Sequence, residues 1–289
     1  MSLCTVAYDI DILAKSSIVH REDYASSEGS DNFTLFRREK IITPSGTMSW
    51  VPIVSGSSFR GVLRRIGESL TAPILNYEDT GLPIPAAHLL TNGGRLAKSA
   101  KPLTVEEERN LKALIPQIAV FGGAASNRIM SGLLTVGKVL PEISELAHIL
   151  PRPPRNGGLP AVFGLADDYF SHYSDHRPAA NLPPITDHEE DSSTLGRFGV
   201  ETLPAGIRLQ TWARLTNATE TQAAFLRDIL NIFATQGHLG GRIAAGHGRV
   251  TATITAKPER GHLPKKTADW AAQLAAHRDD ALTALAKLT

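Results

Sequence analysis

The segment Ser55-Gly56-Ser57-Ser58-Phe59-Arg60-Gly61 combines three ways of holding an anion. Glycine lets a backbone approach closely. Serines cap a helix and offer hydroxyls. The free N–H groups at a helix start attract negative charge. Arg60 and Arg64 stand four apart, so on a helix both project from one face, which suits phosphates. An ordinary capped helix with a solvated basic face is the plainer account of the same residues. Two other chemistries fail. Gly56 and Gly61 have the spacing of a phosphate loop, but Val62-Leu63 follow where Lys and Ser or Thr are required. The segment also lacks the Gly-x-Ser-x-Gly of a hydrolase nucleophile turn.

A second segment, Gly237 to Val250, holds five glycines in its first 12 residues together with His238, Arg242, His247 and Arg249. A dinucleotide fingerprint follows a strand and opens a helix, whereas this segment lies between a helix and a strand. Its backbone N–H groups, cations and histidines suit a loop that wraps a polyanion; a floppy connector is the alternative. A third group is His172, His176 and His188 with Asp187, Glu189 and Glu190. Spacing supplies no third metal ligand, and Pro178, Pro183 and Pro184 indicate an extended, solvated loop, so no metal site is expected.

Elements must position these segments. Cys4, Val6, Tyr8, Ile10 and Ile12 alternate with polar residues, as do Ile207 to Leu215 and Val250 to Ala256, which predicts three strands. A fourth is expected between Ile129 and Leu140. A helix starts at Ser57 or Ser58, with Phe59, Val62, Leu63, Ile66 and Leu70 as its apolar stripe. Another starts near Asn217, with Glu220 three residues on as a reciprocal cap, buries Phe225, Leu226, Ile229, Leu230 and Phe233, and ends at Gly237. The order is β-α-β-β-α-β, an α+β, ferredoxin-like core with excursions at about 14–50, 71–127 and 143–205. A single helix is expected over 267–289, with Trp270 and Leu274 on one side.

The net charge is +1, which excludes a uniformly basic coat but hides an asymmetry. Residues 29–66 carry net +4, residues 237–266 net +5 and residues 165–201 net −6. Aromatics are 6% of the chain, too few for a mechanism built mainly on stacking bases. The single cysteine, Cys4, excludes an internal disulfide and any cysteine-based zinc or iron–sulfur site. No basic, apolar leader opens the chain. The longest apolar run, near Ala113 to Ala125, is interrupted by Pro116 and Gln117, so a cytoplasmic protein that does not span a membrane is expected.

The run Pro52-Ile53-Val54-Ser55-Gly56-Ser57-Ser58-Phe59-Arg60-Gly61-Val62-Leu63-Arg64 resembles a motif of the RAMP superfamily, the RRM-like subunits of CRISPR effector complexes. Gly240-Gly241-Arg242 through Gly246-His247-Gly248-Arg249-Val250 resembles that superfamily's glycine-rich loop before the last strand. Glu201-Thr202-Leu203-Pro204-Ala205-Gly206 resembles the approach to its third core strand, and Phe121-Gly122 through Leu133 the approach to its second. One glycine-rich loop and a large segment ahead of the first helix resemble the backbone subunit, the Cas-seven family. Phe36-Arg37-Arg38-Glu39-Lys40 most resembles the type IV branch.

The resemblance implies a single RRM-like palm over 1–289, fingers at about 14–50 and 71–127 and a thumb at about 165–200. It implies copies stacked along a guide RNA, each thumb kinking the guide, beside other effector subunits and a complementary target DNA or RNA. It implies guide contacts from Arg37, Arg38, Lys40, Ser55, Gly56, Ser57, Ser58, Arg60 and Arg64, and from Gly240, Gly241, Arg242, Gly246, His247, Gly248 and Arg249. No cofactor and no catalytic residue are expected. The rival is a type III backbone subunit that cuts target RNA with a metal and Asp23 or Asp31. A third reading, guide processing with His20 as general base, fits less well, because processing enzymes usually carry two tandem RRM-like domains.

Overall fold

The computed structural model describes residues 3–21, 33–77, 81–97, 101–155, 158–160, 165–173 and 195–288. In chain order the first elements are β1 (Cys4–Ala14), β2 (Phe33–Thr34), β3 (Arg38–Ile42), β4 (Met48–Pro52) and α1 (Gly56–Leu75). The next are α2 (Ile84–Thr91), α3 (Val105–Leu114), α4 (Pro116–Phe121), β5 (Gly123–Ala125), β6 (Arg128–Met130), β7 (Leu134–Val136) and β8 (Leu140–Pro141). Then come β9 (Ala166–Tyr173), β10 (Leu195–Thr202), β11 (Arg208–Ala218), α5 (Glu220–Gln236), β12 (Gly237–His238) and β13 (Arg249–Arg260). The chain closes with α6 (Trp270–Ala276) and α7 (Arg278–Ala286).

The main sheet runs β12-β13-β1-β11-β7, with β8 also on β11, and every pairing is antiparallel. With α1 between β1 and β7 and α5 between β11 and β13, this is the ferredoxin-like β-α-β-β-α-β core with large insertions. Alternation works as period two demands: Val6, Ile10, Leu209, Ala213 and Leu215 point to the helices and are buried. Phe59 of α1 meets Phe233 of α5 edge-on at 5.3 Å. Gly67 lets the two helices close, since a Cβ there would lie 2.9 Å from Ile229. No helix among the described residues is long and apolar enough to cross a membrane.

Four expectations need correction. The fourth strand is two short pieces, β7 and β8, because the chain leaves the sheet edge at Gly137 to meet α1. The second helix is capped by Thr219 with Gln222, both hydrogen bonds of the box being present, while Asn217 adopts a left-handed φ of 53°. The strand ending there runs on to Ala218. The tail is two helices, broken at His277, whose ψ of 23° turns the chain so that Trp270 and Leu285 both reach the core.

Candidate nucleic-acid interface

Helix α1 begins at Gly56, ahead of the expected Ser57 or Ser58, because Ser55 is the serine that caps it. Ser55 caps α1 with an extended backbone, and its Oγ accepts from the Ser58 N–H at 3.2 Å. The Ser55 N–H donates to His20 Nε2 at 3.1 Å, so that lone pair of His20 is in use. Ser57 is exposed, and its Oγ lies 3.1 Å from that of Ser55. Gly56 serves a close approach within the protein: a Cβ there would stand 3.2 Å from the Gly137 carbonyl.

Arg60 and Arg64 do share a face, but Arg64 does not face solvent. It is 5% exposed, and its guanidinium donates to the carbonyls of Leu89 (3.1 Å), Gly122 (3.1 Å) and Phe121 (3.0 Å). Arg60 donates to the Phe121 carbonyl at 2.6 Å. Both stack over the Phe121 ring. The reason is the C-terminus of α4, whose last carbonyls lack intrahelical partners and carry the negative end of the helix dipole. Burial pushes the Arg64 guanidinium down to about 10, with the Arg60 charge adding, which leaves it protonated at neutral pH. Arg64 therefore clamps α1 to the first insertion. The exposed cation of this turn is Arg65, absent from the expected contacts.

Arg37, Arg38 and Lys40 enter the β3–β4 hairpin. Arg38 is held by Glu201, with Nη2 and Oε1 2.6 Å apart. The other Glu201 oxygen accepts the Phe36 N–H at 2.9 Å. The backbone of Arg37 donates to His20 and accepts from Ile53. Lys40 is exposed, its Nζ 5.2 Å from the centre of the Trp50 ring.

The glycine-rich loop is docked rather than floppy. Gly241 N–H donates to Val19 O (2.7 Å), Gly248 N–H to Ser17 O (2.7 Å) and Leu239 N–H to Gly248 O (2.8 Å). Gly240 and Gly248 have φ of +77° and +80°, and a Cβ would come within 2.0 Å of Val19 O and 2.2 Å of Leu239 O respectively. His247 is half-buried against Ser17 Oγ at 2.9 Å and lies 3.7 Å from Asp168 Oδ2 of β9, so it braces the loop. Residues 241–246, with Arg242, form the exposed tip, and Arg249 is exposed at its base.

A short strut that the sequence does not single out joins these parts. Residues 15–21 bridge Leu203 through Ile18, Gly241 through Val19 and Phe36 through Arg21, while His20 holds the Ser-Gly turn. Lys15 and Arg21 on this strut are exposed. Both segments expected to be basic thus meet on one strip of backbone. Asp23, Asp31, His176 and His188 lie outside the described residues, as does the side chain of His172.

Among curated proteins none matches the sequence. A chain from a solved "Type IV-B CRISPR Complex" is 54% identical, with a TM-score of 0.64 over 93% of this chain and 99% of that one. The family model described as "RAMP superfamily" matches residues 37–251. That span takes in the Ser-Gly turn, the Glu201–Gly206 approach and the glycine-rich loop. The chain therefore belongs to the RAMP superfamily.

Proposed function

We propose that the chain is a guide-RNA-binding backbone subunit of a type IV CRISPR effector ribonucleoprotein in the cytoplasm. Copies stack along the guide, beside other effector subunits, and present it for pairing with a complementary target DNA or RNA. The observation that carries this is the meeting of the Ser-Gly turn, the Arg37–Lys40 hairpin and the glycine-rich loop on the 15–21 strut. Exposed Lys15, Arg21, Lys40, Arg65, Arg242 and Arg249 supply phosphate contacts around it. The 54% identity to a chain of a type IV-B CRISPR complex supports a place in such a complex.

The chain acts as a scaffold without catalytic residues. His20 is a poor base, since its Nε2 already accepts from Ser55. Co-expression with a guide tests both statements. The purified chain is expected to carry short RNA, run as a large assembly and lose RNA steeply as salt rises. A clean monomer without excess absorbance at 260 nm overturns the binding role. With magnesium, complementary RNA is expected to stay whole. Regularly spaced cuts, lost in Asp31→Ala or Asp23→Ala, would establish the nuclease instead.

A further inference from the structure

The sheet face away from the helices carries Asp9, Asp11, Trp212, Arg214, Thr255 and Lys257. Asp9 pairs directly with Trp212 on β11 and with Thr255 on β13. The carboxylates are matched: Asp9 meets Lys257 at 2.6 Å and Arg152 at 3.1 Å, and Asp11 meets Arg152 at 2.6 Å. Arg214 meets Glu259 at 2.6 Å. Trp212 stands in this polar field and is 41% exposed.

Its indole lies on Gly137. A Cβ at Gly137 would be 2.6 Å from Nε1, 2.8 Å from Cδ1 and 3.0 Å from Cε2, so only glycine admits the ring against the backbone. One ring face is thereby backed by the chain, and the residue as a whole stays 41% exposed. The same glycine contacts Gly56 of the Ser-Gly turn through its carbonyl, and its N–H donates to Trp212 O at 2.9 Å. The indole and the start of α1 therefore touch one residue from two sides.

A fixed, one-sided aromatic surface stacks planar groups. A protein partner would need a contiguous apolar core. The residues beside Trp212 on this face are instead Asp9, Thr255, Arg214 and Lys257, with Lys138 next in the chain after Gly137. The three cations sit in exposed ion pairs, which exchange partners at little cost. We propose that Trp212 is a stacking platform for one unpaired nucleobase of single-stranded nucleic acid in each copy, the cations around it taking the adjoining phosphates. This rests on the guide-binding role above.

The test uses the full chain carrying Trp50→Phe, which leaves Trp212 and the buried Trp270. Oligouridine is expected to quench Trp212 fluorescence, and an abasic oligonucleotide of equal length is not. Trp212→Ala is expected to weaken oligouridine binding at least about fivefold, with Trp212→Phe recovering part of it, and to leave abasic binding unchanged. Equal loss on both probes, or no loss, overturns the stacking role while the guide-binding role stands. Binding of neither probe by the unaltered chain overturns both. In the assembled complex, quenching when the guide loads assigns the base to the guide, and quenching only when target is added assigns it to the target. Quenching at neither stage overturns the proposal.

Discussion

The guanidinium of Arg64 in α1 donates to the carbonyl of Phe121 at the end of α4 at 3.0 Å, joining the first core helix to the insertion that follows it. Truncation would take this donor from the buried carbonyls of Leu89 and Gly122, while Arg60 still donates to that of Phe121. Arg64→Ala is expected to lower stability by about 3 kcal/mol in urea unfolding. Arg64→Lys recovers little of this, because one ammonium cannot match the guanidinium's fork. Arg65→Ala, at the exposed position, is expected within about 0.5 kcal/mol of the parent.

Glycines of the docked loop divide by what surrounds them. Gly240→Ala and Gly248→Ala push a Cβ into backbone carbonyls at positive φ, and each is expected to cost about 2–3 kcal/mol and to undock the loop. Gly246 also has positive φ, +89°, but nothing lies within 4 Å of its Cβ position. Gly246→Ala is expected to cost only about 1 kcal/mol. Thermal melts of the three variants, with RNA retention measured beside them, check the ranking.

Arg38 and Lys40 sit on one face of β3 but differ in commitment, since Glu201 already holds Arg38. Lys40→Ala is expected to reduce the slope of log affinity against log salt by about 1. Arg38→Ala changes the slope less. Glu201→Gln frees the Arg38 charge while an amide oxygen still accepts from Phe36, so guide affinity rises and the slope steepens. Filter binding across a salt series reads all three.

Gly137→Ala would drive a Cβ into the Trp212 ring. The ring is the part able to move, so the expected cost is about 1 kcal/mol with the fold kept. The near-ultraviolet circular dichroism and fluorescence of Trp212 are expected to change. An unchanged spectrum would show that the indole does not rest on this glycine.

Much of the core was legible because its causes are local. The alternation of Val6, Tyr8, Ile10 and Ile12 and the stripe of Phe59, Val62 and Leu63 report period two and period 3.6 directly, and both sets are buried. The Pro52–Arg64, Phe121–Leu133, Glu201–Gly206 and Gly240–Val250 runs pointed to the superfamily for the same reason: each is a contiguous stretch of residues. What tertiary structure alone decided lies between distant segments. The four-residue spacing of Arg60 and Arg64 placed them on one face, but only the folded chain brings the end of α4 onto it, which converts an expected phosphate contact into a clamp. Glu201 and Arg38 lie 163 residues apart, and no periodicity links them. The strut at 15–21 has no pattern of its own, because its backbone hydrogen bonds go to three other segments. Trp212 looks like any outward residue of an alternating strand. It becomes a platform only where Gly137, on a neighbouring strand's edge, leaves the space a side chain would fill.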